Sequence, residues 1–169
     1  EEAIAVHDDY ASAHLNLGLA RLNLGQTLGA IESFTKSLSL NPSDGRVRHL
    51  LGGAILSHAK DLLAKGDVSE ARNRLTQAKN HVDFFIEQVD ATDSRANLIR
   101  CEIGHLLGHD AKNSSRYCKA ALDAPSKTKT GLNDGLVNVA IAYNLLGIFA
   151  KQAGHYSDAA DYFQSGLEA

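Results

Sequence analysis

Four glycines set the frame of this chain: Gly25, Gly66, Gly108 and Gly154 recur at intervals of 41, 42 and 46 residues. Each closes one amphipathic stretch and is followed by a polar or histidine residue and a second such stretch. Glycine leaves a helix through a left-handed turn more readily than any other residue, so the spacing predicts four helix–turn–helix hairpins in series. Nothing in the chain competes with that pattern. Only Pro42 and Pro125 interrupt it, Leu, Ala and Glu are plentiful, and β-branched residues never cluster in alternating runs. The fold class that follows is all-α.

The stretch from His14 to Pro42 indicates how one unit closes. Two antiparallel helices approach closely only where one offers a glycine or alanine to a bulky side chain of the other. Gly18 against Ala30 and Phe34 is one such set, and Gly147 against Ala159 and Phe163 repeats it. Pro42 ends the second helix because it cannot continue the hydrogen-bond ladder.

On these residues the chain resembles the tetratricopeptide-repeat family, whose unit of about 34 residues carries W-x2-L-G-x2-Y, A-x3-F and P at set offsets. In the first unit His14 stands for the Trp, Leu17-Gly18 for the Leu-Gly pair and Arg21 for the Tyr, with Ala30, Phe34 and Pro42 following. The last unit has Tyr143, Leu146-Gly147, Ala159 and Phe163. The second is partial, with Leu51-Gly52, Gly66, Ala71 and Leu75; the third is degenerate, with Cys101 in the small slot, Asn113 in place of Ala, and only Tyr117 and Ala120 fitting. The resemblance covers nearly the whole chain, strongly at both ends and weakly in the middle. It implies an α-α superhelix, or solenoid, of about four such helix pairs with elongated helices in the middle. The units divide as 1–10 (the end of a preceding helix), 11–44, 45–92, 93–122, a linker at 123–134, and 135–169.

The excess over the family spacing has a location. In the second unit Leu51-Gly52 and Gly66 lie seven residues further apart than expected, which lengthens both arms by about two turns, or roughly 10 Å. Val68, Ala71, Leu75, Ala78, Val82, Phe85 and Val89 form a heptad stripe on the second arm. Val47, Leu50, Leu51, Ala54, Ile55, His58 and Leu62 face it from the first arm, so the two stripes read as the internal seam of a long hairpin. Asp67 and Glu70 form a capping box at the start of the second arm. Further on, Ser126, Thr128 and Thr130 beside Lys127 and Lys129 read as a solvated linker. Asn133 or Asp134 then caps a helix from about Gly135 to Ala153.

Composition narrows the function classes. A net charge of −3 and a pI near 6.2 give no electrostatic reason to expect nucleic acid or an anionic membrane. No apolar run approaches the roughly 18–20 residues that cross a bilayer, so membrane insertion is not expected. Two cysteines are too few for a disulfide framework and favour a reducing, cytoplasmic-type compartment. With Glu1-Glu2 at its start and no methionine, the chain reads as a segment of something longer.

Catalytic and metal chemistry find little support. His105 and His109 have the four-residue spacing of two ligands on one helix, but Gly108 should end that helix and leave His109 in the turn. His155 holds the same turn slot and His14 the aromatic slot, so these histidines read as structural and no metal site is expected. Cys101 and Cys118 fall on paired helices and are expected as buried thiols. There is no nucleophile elbow and no Gly-rich phosphate loop; the chain is not expected to be an enzyme or to hold a cofactor.

What the family resemblance implies instead is a protein-interaction scaffold, binding a partner peptide or helix along the first helices of the pairs, which line the concave face. By that analogy the face holds Ser12, Leu15, Leu19, Leu22 and Asn23, then Arg46 and His49, then Arg95, Leu98 and Glu102, then Ile141, Asn144, Ile148 and Lys151. A partner with hydrophobic anchors and acidic neighbours suits it; alternatively Leu15, Leu19 and Leu22 pack against a preceding repeat. Chaperone-binding members use a Lys three residues before the first-helix Gly and an Asn just after it. Here those positions are Leu15 and Leu19, and the Asn slot of the second repeat is Leu50, which disfavours a chaperone C-terminal tail. The remaining readings are a partner- or substrate-recruiting region of a multidomain enzyme and, against the acidic pI and the Asn41-Pro42 ending, an RNA-binding helical repeat.

Overall fold

The computed structural model describes residues 2–108, 111–123 and 132–169, with side chains in the first and seventh helices from residues 10 and 138 onward. Eight α-helices account for these residues: α1 Glu2–Asn23, α2 Thr27–Leu40, α3 Gly45–Ala64, α4 Val68–Gln88, α5 Ser94–Leu107, α6 Ala111–Asp123, α7 Leu132–Gln152 and α8 Tyr156–Glu168. They pair as α1–α2, α3–α4, α5–α6 and α7–α8. The all-α helical-repeat class expected from the sequence is the observed one. All four frame glycines have positive φ, between 70° and 83°, a conformation that ends a helix at little steric cost only for glycine.

The chain divides into two compact units, residues 1–89 and 90–169. In the first, α1 packs on α2, α2 on α3 and α3 on α4. Gly18 meets Phe34 so closely that a β-carbon on it would lie 2.6 Å from Phe34 Cδ1. Arg21, in the family's tyrosine slot, closes the same hairpin by a different chemistry: its guanidinium donates to Gly29 O at 2.8 Å and to Ser33 Oγ at 2.9 Å. Buried Ser37 donates its hydroxyl to Ala11 O at 2.8 Å. α2 stops at Leu40, before Asn41-Pro42, and Asp44 caps α3 by accepting from Val47 N.

The long second hairpin is as expected in length, with helices of 20 and 21 residues, and its seam buries Ala71, Leu75, Ala78, Val82 and Phe85. Val68 and Val89, at the ends of the stripe, are exposed. One assignment changes. Gly52 faces Val82 and Ala78, not Ala71, because the extra two turns push Ala71 and Leu75 outward toward the turn at Gly66. The capping box is half made: Asp67 accepts from Glu70 N, while the Glu70 carboxylate pairs with Arg74 at 2.8 Å. Arg48 lies over the Phe84 ring at 4.2 Å and donates to Pro42 O. Burial, and then the charge of Arg48, hold the His81 imidazole below the usual histidine range.

In the second unit α5 pairs with α6, α6 packs on α7, α7 pairs with α8, and α5 also touches α7. Asp93 caps α5 through Ala96 N at 2.7 Å, and Gly108 ends it. Here the small slot belongs to Gly104, packed against Ser114, and not to Cys101: the first arm of this hairpin is shorter, so the contact moves closer to the turn. Cys101 and Cys118 are joined in a disulfide between α5 and α6, with Cα atoms 5.3 Å apart, where buried thiols were expected. The paired helices on which the sequence placed them bring the two positions within bonding reach. Gly147 meets Phe163 as Gly18 meets Phe34. α7 begins at Leu132, ahead of Asn133 and Asp134, the positions expected to start it. His109 and the linker residues Pro125, Ser126, Lys127, Thr128, Lys129 and Thr130 lie outside the described residues.

Three outcomes test this packing. Gly18→Ala and Gly147→Ala should each lower the free energy of unfolding by about 1–3 kcal/mol, as overpacking does, and Phe34→Leu should recover part of the first loss in denaturant melts. Reduction of the Cys101–Cys118 bridge, which spans 17 residues, should cost about 3 kcal/mol by loop entropy, read as a lower melting temperature in reductant. The pH dependence carries a definite sign. With its folded pKa depressed, His81 is protonated more readily in the unfolded chain, so the stability it confers is present above about pH 6.5 and lost as pH falls through the folded value. His81→Gln should therefore melt with a smaller difference between about pH 7.5 and about pH 5 than the wild type.

Candidate surface for a protein partner

Each first helix turns one side to its own partner helix and leaves another toward solvent. In α1 the side of Gly18 is inward, and Ser12, Leu19 and Asn23 lie on the open side, all exposed. In α3 the inward side is marked by Gly52, and Arg46 is on the corresponding open side, also exposed. These four residues belong to the first unit and form the part of the expected face that is exposed to solvent. Leu22 and His49 are half-buried at its margin, the His49 ring resting 4.7 Å from that of Phe85. Leu15 is a correction: it is buried in the hairpin core and offers nothing to a partner.

The second unit arranges its residues differently. Leu98 is buried with Cys101, Cys118, Ala142, Leu145, Leu146 and Phe149 in one cluster, on which Ile141 and Ile148 pack. The contact of α5 with α7 thus fills from within the side that the family analogy assigns to a partner, and Leu98 leaves the candidate set. Apolar residues on that side of the helix were read as a groove because their partner, α7, lies some forty residues away in sequence. Arg95, Asn144 and Lys151 are exposed, and Glu102 is half-buried. The two sets sit on separate units, and each is a surface in its own right.

A cleft of about 380 Å3 lies between α6, α7 and α8, lined among others by Lys112, Ser115, Lys119, Phe149, His155 and Asp158. Its chemistry is that of a surface depression. The Ser115 hydroxyl donates to Lys112 O at 3.1 Å, as helix serines do, and His155 Nδ1 stands 3.8 Å from an Asp158 carboxylate oxygen at an exposed helix start. The His105 ring meets Phe149 edge-on, with centroids 5.8 Å apart. Among the described residues no group of three His, Cys, Asp or Glu is placed to hold a metal ion, and no helix is long and apolar enough to cross a membrane.

Comparison with known proteins follows this geometry. A tetratricopeptide-repeat family model matches residues 11–44, the hairpin closed by Gly18 and Phe34. No curated protein matches the sequence significantly. Among solved structures, one of MamA superposes with a TM-score of 0.62 at 18% identity, over 99% of this chain and 82% of that one. MamA AMB-1 gives 0.66 at 15% identity, over 94% and 72%. MamA from Desulfovibrio magneticus RS-1 gives 0.61 at 17%, over 94% and 74%. At such identities the likeness is one of fold, and it extends helical-hairpin repetition across nearly the whole chain. The tetratricopeptide-repeat signature thus lies on the first hairpin, and the last hairpin repeats its glycine-to-bulky-residue closure within a fold like that of these neighbours.

Proposed function

We propose that this chain is a non-catalytic scaffold segment that binds a partner peptide or helix on the open side of α1 and α3, built on repeats divided as 11–44, 45–92, 93–122 and 135–169. The tetratricopeptide-repeat fold is in general a protein-interaction scaffold. The observation that carries the finer reading is the solvent-open Leu19, which shares the open side of α1 with the exposed Ser12 and Asn23 while Leu15 is buried in the hairpin. An exposed apolar side chain flanked by small polar ones offers an anchor site with hydrogen-bonding groups beside it, and Arg46 on α3 adds a cation. The complementary segment carries a hydrophobic anchor and an acidic neighbour. Leu15 and Leu19 in the clamp positions make a C-terminal carboxylate a poor match.

Capture of partners from an extract by the wild-type chain and by Leu19→Glu/Arg46→Glu, with identification by mass spectrometry, tests the proposal. The double variant should lose the partner while melting as the wild type does. Equal recovery by both chains would remove α1 and α3 as the binding side.

A further inference from the structure

The cleft of about 380 Å3 lies within the second unit, with walls from α6 and α8 and a floor internal to α7. Leu146, Phe149, Ala150 and Ala153 make that floor, the first two of them buried. Its depth follows from the two alanines, which stand three and six residues after the packing glycine Gly147. The same positions hold Arg21 and Leu24 after Gly18, and Ile55 and His58 after Gly52. Arg21 closes its hairpin onto Gly29 and Ser33, and Ile55 is 4% exposed. α7 thus omits bulk that α1 and α3 supply from their own sequence, and the space it leaves is the cleft. The volume falls in the range of about 300–1,000 Å3 at which pockets hold ligands.

The two walls differ in charge. On the α6 wall Lys112, Ser115 and Lys119 succeed one another at steps of three and four, and both lysines are exposed. The third cation of α6, Arg116, lies over the Tyr117 ring, and its one carboxylate, Asp123, is at the last residue. The α8 wall brings His155, Asp158 and Tyr162, with the Asp158 carboxylate 3.8 Å from His155 Nδ1. Asp161 and Glu168, the other carboxylates of α8, do not line the cleft. An apolar floor is therefore bounded by two cations on one side and by a single anion on the other.

We propose that this cleft docks an acidic peptide segment of a protein partner. One branched or aromatic side chain enters over Ala150 and Ala153, and a neighbouring Asp or Glu carboxylate faces Lys119 and Lys112. The entering side chain restores the bulk that Ile55 and His58 give α3. The carboxylate has one favourable direction, since on the other wall it would meet Asp158. An acyl carboxylate combines the same two groups, but in a depression open along one side much of its chain would stay in water. A peptide brings further contacts along both walls. The buried anchor carries most of the affinity, and the exposed lysines give orientation and a salt dependence. The cleft belongs to the second unit and Leu19 and Arg46 to the first, so this proposal does not rest on the binding side proposed for α1 and α3.

Selection from a phage-displayed library of random dodecapeptides tests it, with depletion on the Ala150→Ile/Lys119→Glu chain before selection on the wild type. Depletion removes peptides for every surface that the two chains share. The recovered peptides should carry an apolar residue beside an Asp or Glu. Their affinity, read by fluorescence anisotropy, should fall about tenfold or more with Ala150→Ile alone and with Lys119→Glu alone. Leu19→Glu/Arg46→Glu should bind them as the wild type does, which separates this site from the other. Circular dichroism melts establish that the variants are folded, and Ala153→Leu, at an exposed position, fills the cleft a second way. No enrichment after depletion, peptides without an acidic residue, or folded single variants that bind as the wild type does would each overturn the proposal. So would dodecanoate that displaces the peptides at a lower concentration than they themselves need to bind, which would make the occupant a lipid.

Discussion

The contact of a glycine backbone with a bulky side chain on the facing helix is the constraint from which the rest of this structure is built. Where α1 meets α2, the space a β-carbon would occupy at Gly18 is filled by the Phe34 ring; where α7 meets α8, Phe163 fills it at Gly147. Such contact brings the helices close enough for the remaining apolar side chains to interdigitate at interior density. It also fixes the rotation of each helix about its axis. Once Gly18 faces α2, every other position of α1 is assigned to a side: Ala11 and Leu15 inward, Ser12, Leu19 and Asn23 open, Tyr10, Leu17 and Leu24 to the flank.

The middle hairpins show how far that contact tolerates variation. The second keeps glycine but replaces the aromatic by Val82, and adds two turns to each arm between contact and turn. Inserting about seven residues returns a helix to nearly the same rotation, so the seam continues through Leu75 and Ala71 without twisting the pair apart. The third shortens the first arm and pairs Gly104 with the small Ser114, where little apolar volume is buried. A disulfide between Cys101 and Cys118 crosses that hairpin instead. A covalent bridge and a large aromatic are different chemical answers to the same need to hold two helices together.

Much of this was legible in the residues. The four turn glycines, the closure at Gly18 and Gly147, the break before Pro42 and the long seam from Ala71 to Phe85 all follow from local spacing and helical period. What was not legible depends on partners distant in sequence. Leu98 looks like a groove residue until α7 is placed beside α5. Cys101 occupies the expected small slot only if its hairpin has ordinary length, and a three-residue shift moves that role to Gly104. The family analogy put Ser12, Leu15, Leu19, Asn23 and Arg46 on one face, and burial separates Leu15 from the others.

The surfaces depend on the seams, because an α1 rotated by even one residue would bury Leu19 and expose Leu15. Hydrogen exchange of the native chain tests those seams most directly, since amides under them open only with their hairpin. The slowest amides of the first unit should lie on both arms around Gly18–Phe34 and Gly52–Val82, with fast exchange at the turns of Gly25 and Gly66. Protection spread evenly along α1 to α4, or concentrated away from those contacts, would contradict the role assigned to them.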